Sequence, residues 1–441
     1  MKTRRINICD NSQCSLAELE IRVSEEEDIR FLSDTTISDM ADKRKENLLV
    51  FPHCLNANHK DLNGGDKVIT LSSDRIQTHN YMGFIGRGNV ELHITSRFDK
   101  GRDNFFMHYM LQKVFSVNIF DLKVGSDNSS VWDFLIYLFP YYLKRALRQG
   151  LYKEYRWDSY NDAKLKGSID VSRHIRCNIP FNGKVAYNTR EYSYDNDLMQ
   201  LVRHTIEYIS CHPIGGSRFL KANKENLEAV EKIISVTSSY QKSERRRIIS
   251  VNQKTLRNPF FADYIPLQNL CLKILRRDKL SFGAKEDQIY GLLFDGAWLW
   301  EEYLATLLKE MGFTHPDNRN MKDPIYLFKE SSTRANNSRN AYPDFYKEDL
   351  VLDAKYKSLS KGVTRDDLYQ IITYMHCMRY SKGGFIYPLS SEFKNQEPYF
   401  ATLSGHGGDL YLYPFQVSAA NNFKEFIQRM QEEEHNLQRI I

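Results

Sequence analysis

Polar and hydrophobic residues alternate over Tyr342–Lys357, and this pattern predicts two short strands joined by a polar turn. The second predicted strand, Leu350–Tyr356, is rich in Val, Leu and Tyr. Side chains of a strand point alternately to its two faces, so Asp353 and Lys355 are expected on the same face. Asp344, on the preceding strand, can lie across from them. Two carboxylates and an ammonium group on one face are costly unless something binds there, so this hairpin is a candidate site.

Helices are predicted on both sides of the hairpin. Upstream, the apolar residues of Phe294–Met311 recur with helical spacing, and Glu301 falls on the core-facing stripe, where a bare carboxylate is costly. Downstream, Asp367–Tyr374 is predicted to be a helix in which Gln370 and Tyr374, four residues apart, share a face. A further strand follows over Gly383–Pro388.

The rest of the chain is predicted to form two other regions. Residues 1–100 are expected to be a β-rich domain, with strands at Glu46–Phe51 and Lys67–Leu71, a hairpin over Tyr81–Ile94 and a helix over Thr36–Lys43. Residues 101–280 are expected to be mostly helical, with helices at Phe105–Phe115, Val131–Arg148, Asn196–Ser210, Ala222–Tyr240 and Ala262–Arg277. The expected fold class is therefore a multidomain α+β or α/β protein whose last domain spans 281–441 and ends in a polar helix over Asn421–Leu437.

The middle region also contains a basic and aromatic segment around two predicted strands, Tyr152–Trp157 and Leu165–Ile175. Nine Lys and Arg residues lie between Lys144 and Arg176, and Tyr and Trp residues are interleaved with them. Such a mixture is typical of a phosphate-contacting surface, and the alternative is a solvated face without a ligand. The charged stretch Ser243–Arg247 is either a second patch of this kind or a loop.

Composition limits the classes of function. The 441 residues have a formal net charge of only +5, so any DNA contact must come from local patches. Seven scattered cysteines without a C-x-x-C pair predict a reduced, cytoplasmic protein with neither a disulfide scaffold nor a zinc module. No apolar run is long enough to span a membrane, so a membrane role is not expected.

The residue types of the hairpin are those of a metal-dependent phosphodiesterase. Carboxylates hold Mg²⁺, which prefers oxygen ligands and keeps several waters. The metal polarises the phosphate and lowers the pKa of a bound water, and a neighbouring lysine orients that water or stabilises charge in the transition state. The alternative is a surface hairpin with ordinary charges, in which Lys355 pairs with Asp353 or Glu348.

The hairpin resembles the PD-(D/E)xK nuclease motif, with Pro343-Asp344 and Asp353-Ala354-Lys355 in the matching positions. This resemblance implies a restriction-endonuclease-like α/β core in which Asp344 and Asp353 hold Mg²⁺ and Lys355 acts on the attacking water. The order helix, hairpin, helix and strand is also that of the superfamily core.

The same resemblance extends to the flanking helices. Members of the superfamily often place a metal-site glutamate on the helix before the hairpin, and Glu301 matches it, with Glu302 as the alternative. Gln370 and Tyr374 are similar to the Q-x-x-x-Y element of RecB-like members, which implies support of the metal site or of the phosphate.

Beyond the hairpin, the chain resembles the McrC family of restriction-system nuclease subunits, including its LlaJI-type relatives, over roughly residues 80–400. The segments that carry the resemblance are Gln149–Tyr155 ("rGl.r.Y"), Leu165–Asp170 ("l.G.id", with Lys166 where Arg is common), Glu191–Leu198 ("D...N"), Trp300-Glu301 ("WE"), Asp353–Lys357 ("DaKYK") and Ile386–Pro388. Residues before Tyr81 match only loosely.

This family resemblance implies a division of labour. The chain has no G-x-x-x-x-G-K-[ST] stretch, so it is not expected to bind a nucleotide itself. Its implied partner is an McrB-type AAA+ GTPase ring, which the N-terminal half, with residues 1–100 assigned to partner binding, docks onto and stimulates while the C-terminal half cuts double-stranded DNA. The alternatives are a stand-alone PD-(D/E)xK repair or recombination nuclease and a non-catalytic activator of an AAA+ protein. The recognition site and its methylation dependence stay open.

Overall fold

The computed structural model describes residues 4–40, 48–52, 66–99, 104–115, 129–212, 220–221, 224–276, 289–316, 324–328, 340–359, 362–390, 398–405 and 407–441. The chain divides into two compact units. The first unit comprises Met1–Cys54, Asn58–Lys123 and Phe282–Ile441, and the second comprises Leu55–Ala57 and Val124–Ser281. The β-rich start of the chain and its last 160 or so residues, which were expected as separate domains, therefore lie in one unit.

The strands of the first unit are β1 (Arg4–Cys9), β2 (Gln13–Ser15), β3 (Leu48–Phe51), β4 (Ile69–Ser72), β5 (Arg75–Thr78), β6 (Tyr81–Arg87), β7 (Val90–Thr95), β11 (Tyr290–Asp295), β12 (Ile325–Tyr326), β13 (Asn340–Ala341), β14 (Phe345–Lys347), β15 (Leu350–Ala354), β16 (Lys382–Ser390), β17 (Tyr399–Thr402) and β18 (Asp409–Val417). Its helices are α1 (Val23–Asp34), α2 (Ile37–Met40), α3 (Phe105–Phe115), α10 (Gly296–Leu308), α11 (Arg365–Met378) and α12 (Phe423–Ile440).

The second unit contains strands β8 (Glu154–Asp162), β9 (Ser168–Ile169) and β10 (Val185–Ser193). Its helices are α4 (Ser129–Leu147), α5 (Val171–Asn178), α6 (Asp197–Ser210), α7 (Lys224–Val236), α8 (Arg245–Val251) and α9 (Tyr264–Leu275). Helices α4, α6, α7 and α9 pack on one another, and β8 pairs antiparallel with β10 over nine residues to form a two-stranded ribbon, to whose other edge β9 adds.

Two five-stranded sheets organise the first unit. In one, the strand order is β1-β7-β6-β11-β3, so that β11, from late in the sequence, lies between two strands from the start of the chain. In the other, the order is β14-β15-β16-β18-β17, with parallel pairing of β15, β16 and β18. Helix α11 connects two of these parallel strands, as a crossover between parallel strands requires, and buries Ile371, Tyr374 and Met375 against the sheet. The predicted mixed α/β multidomain fold class is confirmed at this level.

Most of the predicted elements are present. The hairpin around 342–357, the helices over 105–115, 197–210 and 365–378, and the strand at 382–390 are confirmed. Asn196 caps α6, since its side chain accepts a hydrogen bond from the backbone N–H of Met199. Within the described residues, the helices include none with both the length and the apolar character that a membrane span needs.

Three local predictions are wrong. The strand predicted over Leu165–Ile175 is mainly helix α5, because Asp170 accepts a hydrogen bond from the N–H of Arg173 and starts a helix there. The stretch Ser243–Arg247 is not a loop, since α8 begins at Arg245. Helix α1 was not predicted at all; it has few apolar residues on its face.

The helix predicted from Phe294 begins two residues later. Phe294 belongs to β11, and Asp295 caps α10 by accepting hydrogen bonds from the N–H groups of Ala297 at 2.9 Å and Trp298 at 3.3 Å. Because β11 runs straight into α10, the strand that completes the first sheet also positions the helix that carries Glu301.

Candidate active site

The candidate site lies where the β14–β15 hairpin meets α10 and α11. Asp344 precedes β14 and is held in place by Ala354, whose backbone N–H donates to the Asp344 carboxylate Oδ2 at 2.7 Å. The hairpin turn is closed by Glu348 in the left-handed region, with φ of 50°. This turn brings the two predicted carboxylates, Asp344 and Asp353, to the same end of the hairpin.

Asp353 and Lys355 form a close ion pair at the end of β15. Lys355 Nζ lies 2.6 Å from Asp353 Oδ2, and the Asp353 side chain is only 2% exposed. This carboxylate oxygen nevertheless receives no well-directed hydrogen bond from the residues that the structure describes. The backbone of Lys355 is fixed by its N–H, which donates to the carbonyl of Ile386 at 2.9 Å. The predicted shared face of the two side chains is confirmed.

Helix α11 supplies further acceptors to the lysine. Lys355 Nζ donates to Gln370 Oε1 at 3.0 Å and lies 3.2 Å from Asp367 Oδ1. Burial lowers the pKa of Lys355, but the carboxylates of Asp353 and Asp367 raise it more, so that the pKa lies above its ordinary value. The lysine is therefore held as an ammonium group with a fixed direction.

Gln370 and Tyr374 extend this network as their spacing predicted. Gln370 Nε2 donates to the Tyr374 hydroxyl at 2.8 Å, and that hydroxyl donates to the carbonyl of Tyr342 at 2.9 Å. Burial, above all, raises the pKa of Tyr374 to about 12, so the hydroxyl keeps its proton and acts as a donor. The chain of bonds ties α11 to the segment that precedes Asp344.

Glu301 contributes mainly through its charge. Burial and then the carboxylate of Glu301 raise the pKa of Asp344 well above its usual range, and Asp353 adds to the effect. Burial also raises the pKa of Asp353, against the lowering effect of Lys355. The Glu301 side chain is 24% exposed, so it lies at the border of the helix's buried face. Glu302 is turned toward Trp298, whose Nε1 donates to it at 3.2 Å.

The six predicted site residues are thus gathered by one hairpin and two helices. Among the described residues, however, no three carboxylate, imidazole or thiol side chains already surround a common point as metal ligands. In this conformation the ammonium group of Lys355 lies against Asp353.

Sequence reasoning missed two residues of the site. Asp367 was named only as the start of a helix, although it is three residues from Gln370 and so shares its face. It accepts bonds from Lys357 Nζ at 2.6 Å and from the Thr364 hydroxyl at 2.5 Å. Burial raises the pKa of Asp367, but these two bonds and Lys355 outweigh it and bring the pKa to about 2.

His315 is the second missed residue, and no spacing in the sequence identifies it. Its Nδ1–H donates to the carbonyl of Asp344 at 2.8 Å, and its ring stacks on Phe345 with centroids 4.8 Å apart. Its Nε2 lies 3.9 Å from Glu301 Oε1. His315 therefore links the helix carboxylate to the hairpin carboxylate.

The comparisons with known proteins agree with the motifs. The model of the family described as "McrBC 5-methylcytosine restriction system component" matches residues 76–388, which is more than half of the chain. No curated protein sequence matches.

Two solved structures are similar to the chain at low identity. One is the half-complex of the tetradecameric assembly of Thermococcus gammatolerans McrB AAA+ hexamers with bound McrC, at 14% identity, covering 97% of this chain and 99% of that chain, with a TM-score of 0.41. The other is the Thermococcus gammatolerans McrBC complex, at 15% identity, covering 69% of this chain and 87% of that chain, with a TM-score of 0.31. The assignment rests on the family match, together with the motifs: the chain belongs to the McrBC 5-methylcytosine restriction system component family, as its resemblance to McrC predicts.

Proposed function

We propose that this chain is the nuclease subunit of an McrBC-like, GTP-dependent restriction system and that it cleaves double-stranded DNA with Mg²⁺ at the β14–β15 hairpin. The observation that supports this most is the buried ion pair of Asp353 and Lys355 beside Asp344. A buried surface hairpin without a function has no reason to gather carboxylates that raise one another's pKa.

The donor set fits a hard divalent cation. It consists of carboxylate oxygens, which are the ligands that Mg²⁺ prefers, and it includes a buried Asp353 oxygen without a well-directed hydrogen bond. Asp344 and Asp353 would hold the ion, and Glu301 would complete the site. When bound, Mg²⁺ would supply charge to polarise the phosphate and to lower the pKa of a water.

The residues of this chain supply the positioning. Lys355, kept protonated by Asp353 and Asp367, would orient the attacking water or stabilise the negative charge that develops on the phosphate. Gln370 and Tyr374 hold the lysine and the Asp344 segment at a fixed separation, so the geometry exists before DNA binds.

The partner in this proposal is an AAA+ GTPase ring of the McrB type. Support comes from family membership and from the titles of the two similar structures, which describe McrB AAA+ hexamers with McrC. The chain has no triphosphate-binding G-x-x-x-x-G-K-[ST] segment of its own. We propose that residues 1–100 take part in ring docking.

The first prediction concerns Asp353→Ala and Lys355→Ala. Each is expected to abolish DNA cleavage in the presence of the partner, Mg²⁺ and GTP, because each removes one half of the ion pair, while stimulation of the partner's GTPase remains. Cleavage and GTP hydrolysis are measured on the same samples. Asp366→Ala is the matched control, because Asp366 is an exposed acid on α11 next to Asp367.

Several outcomes distinguish the alternatives. Normal cleavage by Asp353→Ala contradicts the site assignment. Cleavage by the purified wild-type chain with Mg²⁺ alone indicates a stand-alone nuclease, and GTPase stimulation by a wild-type chain that never cuts indicates a non-catalytic activator. Calorimetric titration with Mg²⁺ gives an independent reading, since Asp353→Ala is expected to lose the binding heat and Asp366→Ala to keep it.

A further inference from the structure

The second unit carries an exposed aromatic face that the proposed cleavage site does not use. Tyr155, Trp157 and Tyr192 are 57%, 65% and 55% exposed, respectively. They lie on one face of the β8–β10 ribbon, because Tyr155 pairs with Tyr192 and Trp157 with Arg190 across the strands. These three side chains are called the aromatic platform below. Large aromatic side chains gathered at such exposure usually mark a binding surface.

Cations lie over the rings of the platform. The guanidinium of Arg190 is 4.4 Å from the centroid of the Tyr155 ring, and Lys153 Nζ is 5.5 Å from that of Tyr192. The rings of Tyr155 and Tyr192 are 4.9 Å apart. The face thus combines flat π surfaces with positive charge, which is the combination that unpaired nucleobases and their phosphates require.

A cavity of about 870 Å³ in the same unit opens beside the platform, and Tyr155 and Trp157 form part of its wall. Its acidic lining residues include Asp197 and Glu244, but Arg247 pairs with both, at 3.1 Å and 2.5 Å. Burial and then the charge of Asp197 raise the pKa of Glu154, a third acid in the wall. The negative charge of the cavity is therefore largely neutralised.

Two further lining residues, Lys254 and Arg257, are exposed. Neither forms an ion pair with another residue in the described part of the second unit, and both are called the rim cations below. Their charge is available to a ligand at the mouth of the cavity, next to the platform.

We propose that the second unit binds an unpaired stretch of DNA, with bases stacked on the aromatic platform and phosphates held by the rim cations. A duplex keeps its bases stacked on one another, so the platform favours a single strand over a duplex. The choice of DNA rather than RNA rests on the proposed function. Strand binding itself does not depend on that function, because it needs neither the ion site nor the partner.

The test is binding of the full-length chain to fluorescein-labelled oligothymidine, and to a duplex with the same label, in EDTA and without nucleotide. We expect tighter binding of the single strand. Tyr155→Ala combined with Trp157→Ala is expected to raise its Kd by about 5-fold or more. Trp157→Phe is expected to keep most of the affinity, because the phenyl ring still stacks.

The matched control is Val171→Ala combined with Ile175→Ala. These two apolar side chains are 62% and 55% exposed on α5 in the same unit, but they have no π surface. This control is expected to leave the Kd unchanged. Replacing both rim cations by Gln is expected to reduce the salt dependence of log K by about 1.4, which is roughly 0.7 for each lost phosphate contact in a single strand.

Tryptophan fluorescence gives a second reading that does not depend on a folded double variant. Oligothymidine is expected to quench the wild-type emission through stacking on Trp157, and Trp157→Phe is expected to lose that quenching. An unchanged Kd in the alanine double variant, equal affinity for the duplex, or absence of quenching in the wild type overturns the proposal. If the double variant binds the strand normally but no longer binds the AAA+ partner, the platform is a protein-docking face instead.

These outcomes are separable from those of the proposed function. Loss of cleavage in Asp353→Ala leaves strand binding in EDTA untouched. Conversely, a chain that cleaves with its partner but never binds oligothymidine contradicts the inference on the platform alone.

Discussion

At the scale of single residues, the site depends on how Lys355 is held. Its ammonium group has three oxygen neighbours, from Asp353, Asp367 and Gln370, at 2.6 to 3.2 Å. Asp367 is in turn fixed by Lys357 and by the cap of α11. An ammonium group on a flexible stem gains a fixed direction only through such neighbours.

The second prediction follows from this arrangement. Asp367→Asn keeps the size of the side chain but removes one charge-assisted contact to Lys355, and such contacts are worth about 1.5–3 kcal/mol. We expect the rate of DNA cleavage under single-turnover conditions to fall about 10- to 150-fold, with unchanged binding of the partner. Asp366→Asn is the control, and an equal effect of both substitutions would show that Asp367 acts only through the helix terminus.

The sequence allowed much of this site to be predicted, for a physical reason. Asp353 and Lys355 are two residues apart on a strand, and Gln370 and Tyr374 four apart on a helix, so local periodicity alone places each pair on one face. His315 could not be found in this way, because its contact with the carbonyl of Asp344 joins segments that only the tertiary fold brings together.

At the scale of elements, the final helix α12 is attached to the first unit by a buried carboxylate. Glu434 accepts hydrogen bonds from the hydroxyls of Tyr109 on α3, at 2.7 Å, and Tyr303 on α10, at 2.8 Å. Lys113 lies 2.8 Å from its other oxygen. Glu434 therefore joins three helices, and one of them, α10, carries Glu301 of the candidate site.

The third prediction is that Glu434→Ala destabilises the first unit by about 3–5 kcal/mol, because it leaves buried donors without an acceptor. The midpoint of thermal unfolding is expected to fall, whereas Glu432→Ala, on the exposed side of the same helix, is expected to leave it nearly unchanged. A normal midpoint for Glu434→Ala would show that water replaces the lost carboxylate. The polar sequence of α12 predicted the helix, but the network depends on partners more than 130 residues away.

At the scale of the whole first unit, the β-rich start of the chain contacts the segment that follows Lys355. Arg97 donates to the carbonyl of Tyr356 and places its guanidinium 4.8 Å from the centre of the Tyr356 ring. The Tyr356 hydroxyl lies 2.8 Å from that of Ser96. Gly296 is required beside it, since a Cβ there would lie 2.7 Å from the tyrosine ring. One buried tyrosine thus fixes the end of the lysine segment against both α10 and the first sheet.

The same junction gives the fourth prediction. Asp10, fully buried, accepts from the backbone N–H of Arg97 at 2.6 Å and pairs with its guanidinium at 2.9 Å. Burial raises the pKa of Asp10 from 3.8 to about 6, although Arg97 opposes the rise. The folded state therefore binds this proton more tightly than the unfolded chain does. The resulting stabilisation is present below about pH 4 and is lost as the pH rises through 6, with a total of about 3 kcal/mol.

Asp10→Asn removes this titration. The free energy of unfolding of Asp10→Asn relative to the wild type is expected to increase by up to about 3 kcal/mol between pH 4 and pH 7. Urea unfolding at a series of pH values measures it, with Asp34→Asn, an exposed acid of α1, as the comparison. A difference that does not change with pH would mean that Asp10 titrates normally.

The position of β11 has a consequence for how the chain is made. The strand lies between β6 and β3, yet it is synthesised about 200 residues after them. Until it leaves the ribosome, each of those strands has an unpaired edge, and such edges invite contacts with other chains. The second unit is complete earlier on the nascent chain, so it can fold while the first still waits for its central strand. A fragment truncated after residue 100 is thus an unfinished sheet prone to aggregate, and it is a poor reagent for studying the N-terminal part.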